Sequence, residues 1–102
     1  MISQSEKKRF RAIAHNLKPV VTVSGNGLSE SVLTELERAL ADHELIKIKV
    51  VAEKDERSEL VTRLCSQTGA TLIQAIGSVA VIYRSSPKPN PKLSNVLRAD
   101  VL

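Results

Sequence analysis

The chain has 102 residues, enough for one small domain, and 42% of them are hydrophobic. Phe10 and Tyr83 are its two aromatic residues, so we expect an aliphatic core and no aromatic surface on which bases stack. No apolar run approaches the roughly 20 residues that span a bilayer, the N-terminus lacks a signal-peptide core, and the single cysteine excludes an internal disulfide. We therefore expect a cytoplasmic protein with no membrane partner.

The charge is unevenly distributed along the chain. The 15 Lys and Arg outnumber the 11 Asp and Glu, for a net charge of +4. Residues 1–28 and 60–102 each carry five basic groups and one acid, whereas residues 29–59 carry nine acids and five basic groups. If the two ends of the chain lie together, they form a basic face that favours a polyanionic partner.

Helical spacing of Phe10 and Ala14 predicts a first helix over residues 5–16, capped by Ser3 or Ser5. The apolar residues 20–23 predict a strand buried on both faces, as in a parallel sheet. A loop at residues 24–27 follows. Ser29 is the predicted N-cap of a second helix over residues 29–41.

Residues 46–50 alternate strictly and predict a second strand, with Lys47 and Lys49 on one face. A third helix is predicted from an Asp55 N-cap to residue 68, ended by Gly69. Residues 71–76 and 79–83 predict two strands joined by a tight turn at Gly77. The order α-β-α-β-α-β-β indicates an α/β domain with parallel strands and an antiparallel hairpin at one edge.

The domain is predicted to occupy residues 1–86. Residues 87–102 form a Pro-rich, basic tail whose apolar residues are spaced for a short helix. Three alternatives are open for that segment: it docks on the domain, docks on a partner, or frays.

The loop with Gly25 and Gly27 is the first candidate binding site. A strand, a tight loop and a helix N-terminus bring several free backbone N–H groups to the positive end of the helix dipole, which suits a phosphate. A plain strand-to-helix turn is the alternative. The loop lacks the glycine patterns of nucleotide-cofactor sites, so no cofactor is expected.

Basic side chains are the second candidate. The first helix and the link after it carry Lys7, Lys8, Arg11 and Lys18, and the second strand carries Lys47 and Lys49. Each group either contacts phosphates or forms an ordinary solvated face.

Catalysis has no support in the sequence. His15 and His43 lie near predicted helix ends, where a dipole interaction or a local hydrogen bond accounts for them. Cys65 lies on the inner stripe of the third helix and is expected in the core. No metal spacing and no nucleophile–base set is present, so we expect neither an enzyme, nor a metal site, nor a small-molecule substrate.

Five segments, taken together and in order, resemble the bacterial YhbY proteins, single-domain members of the chloroplast RNA splicing and ribosome maturation (CRM) family. They are residues 14–21 (AHNLKPVV), 25–28 (GNGL), 43–50 (HELIKIKV), 68–70 (TGA), and 76–77 (IG) with 81–84 (VIYR). The resemblance covers about residues 3–86.

This resemblance implies a four-stranded mixed sheet similar to the C-terminal domain of bacterial translation initiation factor three. It implies RNA binding without catalysis, and association with precursors of the large ribosomal subunit. The family's GxxG loop corresponds to residues 24–27, with Ser24 where the first glycine is expected and Gly25 where many relatives have a basic residue. The loop thus keeps its flexibility and loses a charge, which shifts weight to the flanking lysines.

The sequence and the resemblance together predict a protein of ribosome biogenesis that binds the ribosomal RNA backbone. The predicted RNA-binding residues are Ser24, Gly25, Asn26, Gly27, Leu28, Ser29, Lys7, Lys8, Arg11, Lys18, Lys47, Lys49 and Arg84. The alternative is a protein-interaction module whose basic surface docks on ribosomal or other proteins, with RNA contact incidental. In that case the apolar face of residues 93–102 would matter more than the loop.

Overall fold

The computed structural model describes residues 2–24 and 28–99. The elements are α1 (Gln4–Ala14), β1 (Pro19–Ser24), α2 (Glu30–His43), β2 (Leu45–Val51), α3 (Lys54–Thr68), β3 (Thr71–Ile76), β4 (Val79–Tyr83) and α4 (Asn95–Ala99). The predicted α/β order is confirmed, and α4 is the short helix that the tail allowed. None of the helices in the described ranges is both long and apolar enough to cross a membrane.

The four strands form one mixed sheet in the order β1-β2-β4-β3. β1 pairs in parallel with β2, and β4 runs antiparallel to both of its neighbours. The predicted hairpin does form one edge of the sheet, with β3 outermost and β4 inside. Ala80, Val81 and Ile82 are all buried, because β4 is covered by helices on both faces.

Helices α2 and α3 cover one face of the sheet. Leu36 and Leu40 from α2 meet Leu64 from α3 over Ile46 and Ile48 of β2, and all five side chains are fully buried. The aliphatic stripes predicted for both helices therefore form the larger of two cores, which we call the α2–α3 core.

Helices α1 and α4 lie on the other face of the sheet. They form a smaller core, which we call the α1 core. Phe10 and Ala14 of α1 pack with Leu45, Ile73 and Val81 from three strands. The Phe10 ring also stacks on the Tyr83 ring, with centroids 4.5 Å apart. Both aromatic rings of the chain are therefore used inside the fold.

The prediction that β1 is buried on both faces is wrong. Val21 and Val23 are buried under α2 and α3, but Val20 is 53% exposed and Thr22 is exposed. β1 is an edge strand, and its second face lies on the side of the sheet that α1 and α4 cover only in part. An apolar run cannot by itself distinguish an exposed edge from a buried interior.

Two of the predicted helix caps are confirmed and one is wrong. Ser3 Oγ accepts the Glu6 N–H, and Ser29 Oγ accepts the Val32 N–H. The N-cap of α3 is Glu53, which makes no side-chain cap bond, and Asp55 lies in the first turn. The Asp55 carboxylate still lies near the positive end of the α3 dipole. This favourable charge interaction explains an acidic residue in the first turn of the helix.

The tail packs back onto the domain as far as the structure describes it. Ser94 is fully buried, and the Asn95 side-chain amide donates to the Leu45 carbonyl at 2.7 Å. Val96 packs against the α1 core, and His43 Nδ1 lies 2.8 Å from the Leu93 carbonyl oxygen. Docking on the domain is therefore the alternative that applies to residues 93–99, and His43 makes a tertiary hydrogen bond where a dipole interaction or a local hydrogen bond was predicted.

Candidate nucleic-acid interface

The α1 side of the sheet carries the two lysines of β2. Side chains alternate along a strand, and Ile46, Ile48 and Val50 point into the α2–α3 core. Lys47 and Lys49 therefore point to the opposite side, as the sequence predicted. Lys47 is half-buried beside α1, whereas Lys49 is exposed.

Part of this side of the sheet is uncovered, and we call it the open face. It is formed by Val20, Thr22, Lys49, Val51 and Ile76, all of them exposed. Val51 and Ile76 have exposed fractions of 51% and 65%. The open face is thus a mixed surface of one cation, one hydroxyl and three aliphatic side chains.

A groove lies beside the contact between the C-terminal half of α1 and the sheet, and it adjoins the open face. This α1 groove has a volume of about 420 Å³. It is lined by Arg11, Ala12, Ala14, His15, Lys47, Gln74, Ile76, Val79 and Val81. Arg11 and Lys47, both predicted as site residues, are 36 positions apart in the sequence. The fold therefore brings two distant cations to one cavity.

Neither cation is paired with an acidic side chain in the part of the chain that the structure describes. Arg11 and Lys47 form no ion pair and no side-chain hydrogen bond with another described residue, and the same holds for His15 and Gln74. Fixed positive charges beside low-dielectric walls concentrate the electric field in a cleft. The α1 groove is consequently suited to an anionic ligand.

Three further lysines lie near this groove in the sequence, two on α1 and one after it. Lys7 and Lys8 lie one helical turn before Arg11 and Ala12, on the flank of α1 that reaches the groove. Lys18 is exposed in the link between α1 and β1, next to Pro19, which pairs with Lys47. Together they extend the positive field of the groove along α1 and toward the start of β1.

The predicted glycine loop begins where β1 ends. Ser24 is exposed and pairs with Val51 at the margin of the open face. Gly25, Asn26 and Gly27 lie outside the described residues. Beyond them, the Leu28 side chain packs against the α2–α3 core and Ser29 caps α2. The flanks of the loop therefore join the open face to the N-terminus of α2.

Arg84 lies apart from the other predicted residues. Its Nη1 donates to Glu37 Oε2 at 2.7 Å and to the Thr68 carbonyl at 2.9 Å, on the α2–α3 side. Its backbone N–H donates to the Glu44 carbonyl, at the end of β2 opposite Val51. The RNA-binding role of Arg84 stays a prediction, but its guanidinium already has internal partners.

Sequence reasoning missed two side chains of the α1 groove, His15 and Gln74. His15 is the C-cap of α1. From the sequence, its place near a helix end was explained by a dipole interaction or a local hydrogen bond and not by ligand binding. Gln74 faces the groove because the β3 register shifts between Leu72 and Gln74. Such a bulge puts Ile73 and Gln74 on the same side, and a period-two pattern does not predict it.

The pKa values that the fold shifts belong to residues outside the α1 groove. Burial raises the pKa of the Cys65 thiol. Burial, together with the nearby carboxylates of Glu44 and Glu6, raises the pKa of Tyr83. Both groups are therefore neutral at neutral pH. Within the described ranges, no group of three or more His, Cys, Asp or Glu is placed to hold a metal ion.

Comparison with known proteins covers nearly the whole chain. Residues 2–84 match the CRS1/YhbY (CRM) domain. The chain is 54% identical over 98 residues to "Probable RNA-binding protein PA4753" of Pseudomonas aeruginosa, covering 95% of this chain and 94% of the relative. It is 40% identical over 93 residues to a protein of Haemophilus influenzae named "RNA-binding protein", covering 90% and 94%.

The fold also has a solved counterpart. The solution structure of the hypothetical protein SAV1595 from Staphylococcus aureus superimposes with a TM-score of 0.77 at 33% identity. The match covers 92% of this chain and 98% of that protein. The four-stranded α/β architecture is therefore shared with a protein of known structure.

Proposed function

The chain belongs to the CRS1/YhbY (CRM) domain family, and we propose that it is a cytoplasmic RNA-binding protein that contacts the ribosomal RNA backbone during assembly of the large ribosomal subunit. RNA binding is favoured by the names of two relatives that match more than nine-tenths of their own length. The ribosomal partner is favoured by the resemblance to YhbY proteins set out above. No catalysis is part of the proposal.

The observation that carries the proposal is the pair of unneutralised cations in the α1 groove. Arg11 and Lys47 belong to different elements, line one cavity and have no anionic partner among the described residues. Lys49 and Lys8 extend the same charge onto the open face and along α1. A surface with this charge contacts phosphates and releases counterions from RNA as it binds.

The glycine loop is the second element of the proposed site. It follows Ser24 at the margin of the open face and precedes the Ser29 cap of α2. Backbone N–H groups at residues 25–29 would bind one phosphate at the positive end of the α2 dipole. The lysines and Arg11 would then hold the neighbouring phosphates. Such backbone contacts position a protein without reading sequence, so we expect weak sequence preference.

The test of RNA binding compares two double variants at several salt concentrations. Arg11→Ala with Lys47→Ala removes both cations of the groove, and Arg38→Ala with Arg63→Ala removes two exposed cations of α2 and α3. The first variant should bind a ribosomal RNA fragment more weakly, and its affinity should fall less steeply with salt. Equal behaviour of the two variants contradicts the proposal.

The ribosomal assignment needs a separate experiment. The tagged protein is sedimented from gently lysed cells on a sucrose gradient, at low and at raised salt. Comigration with material near the free large subunit that is lost as salt rises supports the proposal. A protein that stays at the top of the low-salt gradient contradicts the ribosomal role and leaves RNA binding to be judged by affinity.

The alternative of a protein-interaction module rested on the apolar face of residues 93–102. In that segment Val96 packs against the α1 core and Ser94 is buried. Val96 and Ser94 therefore have partners within the chain, whereas Leu93 is 38% exposed, and RNA binding stays the preferred proposal because the relatives are named RNA-binding proteins.

A further inference from the structure

The floor of the α1 groove is more apolar than a phosphate contact requires. Ala14, Val79 and Val81 form it, and Ile76 stands at its exposed rim. Phosphates are bound by cations and N–H groups, and they gain nothing from aliphatic surface. A cleft that is mostly apolar with a few polar groups at its margin is typical of sites for small flat ligands, and 420 Å³ falls in their usual volume range.

The polar groups at the margin of the groove are of two kinds. Arg11 and Lys47 carry positive charge, whereas Gln74 offers an amide with two donor hydrogens and an acceptor oxygen. The Gln74 amide has no hydrogen-bond partner among the described residues. An amide beside two cations over an aliphatic floor matches a nucleotide, which presents a hydrogen-bonding base edge, a flat apolar face and a phosphate.

The aromatic residues do not provide a competing site for a base. Phe10 is 2% exposed and stacks on Tyr83, and the chain has no other aromatic side chain. A base bound in the α1 groove can therefore rest on aliphatic side chains, on the Arg11 guanidinium plane or on the His15 ring, all of which line the groove.

We propose that the α1 groove takes one unpaired nucleotide of the bound RNA. The base lies on Val79 and Ile76, the Gln74 amide hydrogen-bonds the base edge, and Arg11 and Lys47 hold the adjoining phosphate. Proteins generally recognise RNA bases where these are splayed out of the helix. This inference rests on the proposed function, to which it adds the kind of RNA element that is bound.

The test uses two RNA hairpins that differ by a single unpaired nucleotide in the stem. The wild-type protein should bind the bulged hairpin about tenfold more tightly than the perfect one, the value expected for one or two added contacts. Equal affinity for the two hairpins overturns the nucleotide site and leaves RNA binding intact. Failure to bind either hairpin overturns the proposed function itself.

Two variants of one residue locate the preference. Gln74→Ala removes the amide, and Gln74→Glu keeps its size but replaces the donors with a negative charge. Both should bring the ratio of the two affinities close to one, in proteins whose circular dichroism matches the wild type. Thr62→Ala, in an exposed position of α3 on the other side of the sheet, should leave the ratio unchanged. A full preference retained in both Gln74 variants overturns the site.

Discussion

The Ser94 hydroxyl donates a hydrogen bond of 2.7 Å to Glu44 Oε1, across 50 residues of chain. The other carboxylate oxygen of Glu44 accepts the Ser86 N–H at 2.7 Å. Glu44 is 5% exposed and has a φ of 61°, a conformation that a residue with a side chain rarely adopts. Surrounding contacts hold such a strained residue in place; here the domain supplies those of Leu40, Arg84 and Ser86, and the tail supplies that of Ser94.

Removal of the Ser94 hydroxyl should weaken the fold. Ser94→Ala leaves a buried carboxylate oxygen without its donor, and we expect the free energy of unfolding to fall by about 1.5–3 kcal/mol. Urea unfolding followed by circular dichroism measures the change. Ser66→Ala, at an exposed position of α3, should change stability by less than about 0.5 kcal/mol. Equal effects of the two substitutions would contradict a stabilising role for the tail.

Negative charge in the glycine loop should abolish RNA binding. Gly25→Asp with Gly27→Asp puts two carboxylates where a phosphate is proposed to lie, and like charges repel. The matched control is Thr34→Asp with Ser58→Asp, which adds the same charge at exposed positions of α2 and α3. Filter binding to a ribosomal RNA fragment should separate the two, and unchanged affinity of the loop variant would exclude the loop from the site.

Lys49 should contribute to the salt dependence of RNA affinity. Lys49→Glu removes one proposed phosphate contact on the open face, so the slope of log affinity against log salt should decrease by about one. Arg63→Glu makes the same change of charge on α3. If both variants alter the slope equally, net charge rather than position determines the effect.

Arg84 should matter for stability more than for RNA. Arg84→Ala removes the bonds to Glu37 and to the Thr68 carbonyl, and because the ion pair is partly exposed we expect a loss of about 1–2 kcal/mol. Thermal unfolding and RNA binding of the folded variant are compared. A large loss of RNA affinity at unchanged stability would support the RNA-binding role that the sequence predicted.

Cys65 should react slowly with thiol reagents in the folded protein. Burial raises the pKa of this thiol, and since the thiolate is the reactive form, less of it is present at any pH below that value. Because the unfolded thiol ionises first, stability is full below the ordinary thiol pKa and declines as pH rises through the folded one. Modification rates from pH 7 to 10, with and without denaturant, test the first statement, and urea unfolding over the same pH range tests the second. Equal rates in the two states would contradict the burial of Cys65.

The Cys65 and Lys49 experiments probe opposite sides of the sheet, and sequence periodicity alone assigned both sides. Strict alternation in β2 put Lys47 and Lys49 on one face, and helical spacing put Cys65 on the inner stripe of α3. Local hydrogen-bond chemistry likewise fixed the Ser3 and Ser29 caps and the stop at Gly69. In each case the determining interactions join residues at most a few positions apart.

The tertiary structure decided which distant residues meet. It placed Arg11 beside Lys47, turned Gln74 into the α1 groove through a register shift in β3, and paired Arg84 with Glu37. It also left one face of β1 exposed and docked Ser94 onto Glu44. The sequence determined the elements and the inner faces of α1, α2, α3 and β2, because these depend on local spacing. Only the packed fold decided the site, because a groove depends on the strand order and register that bring remote segments together.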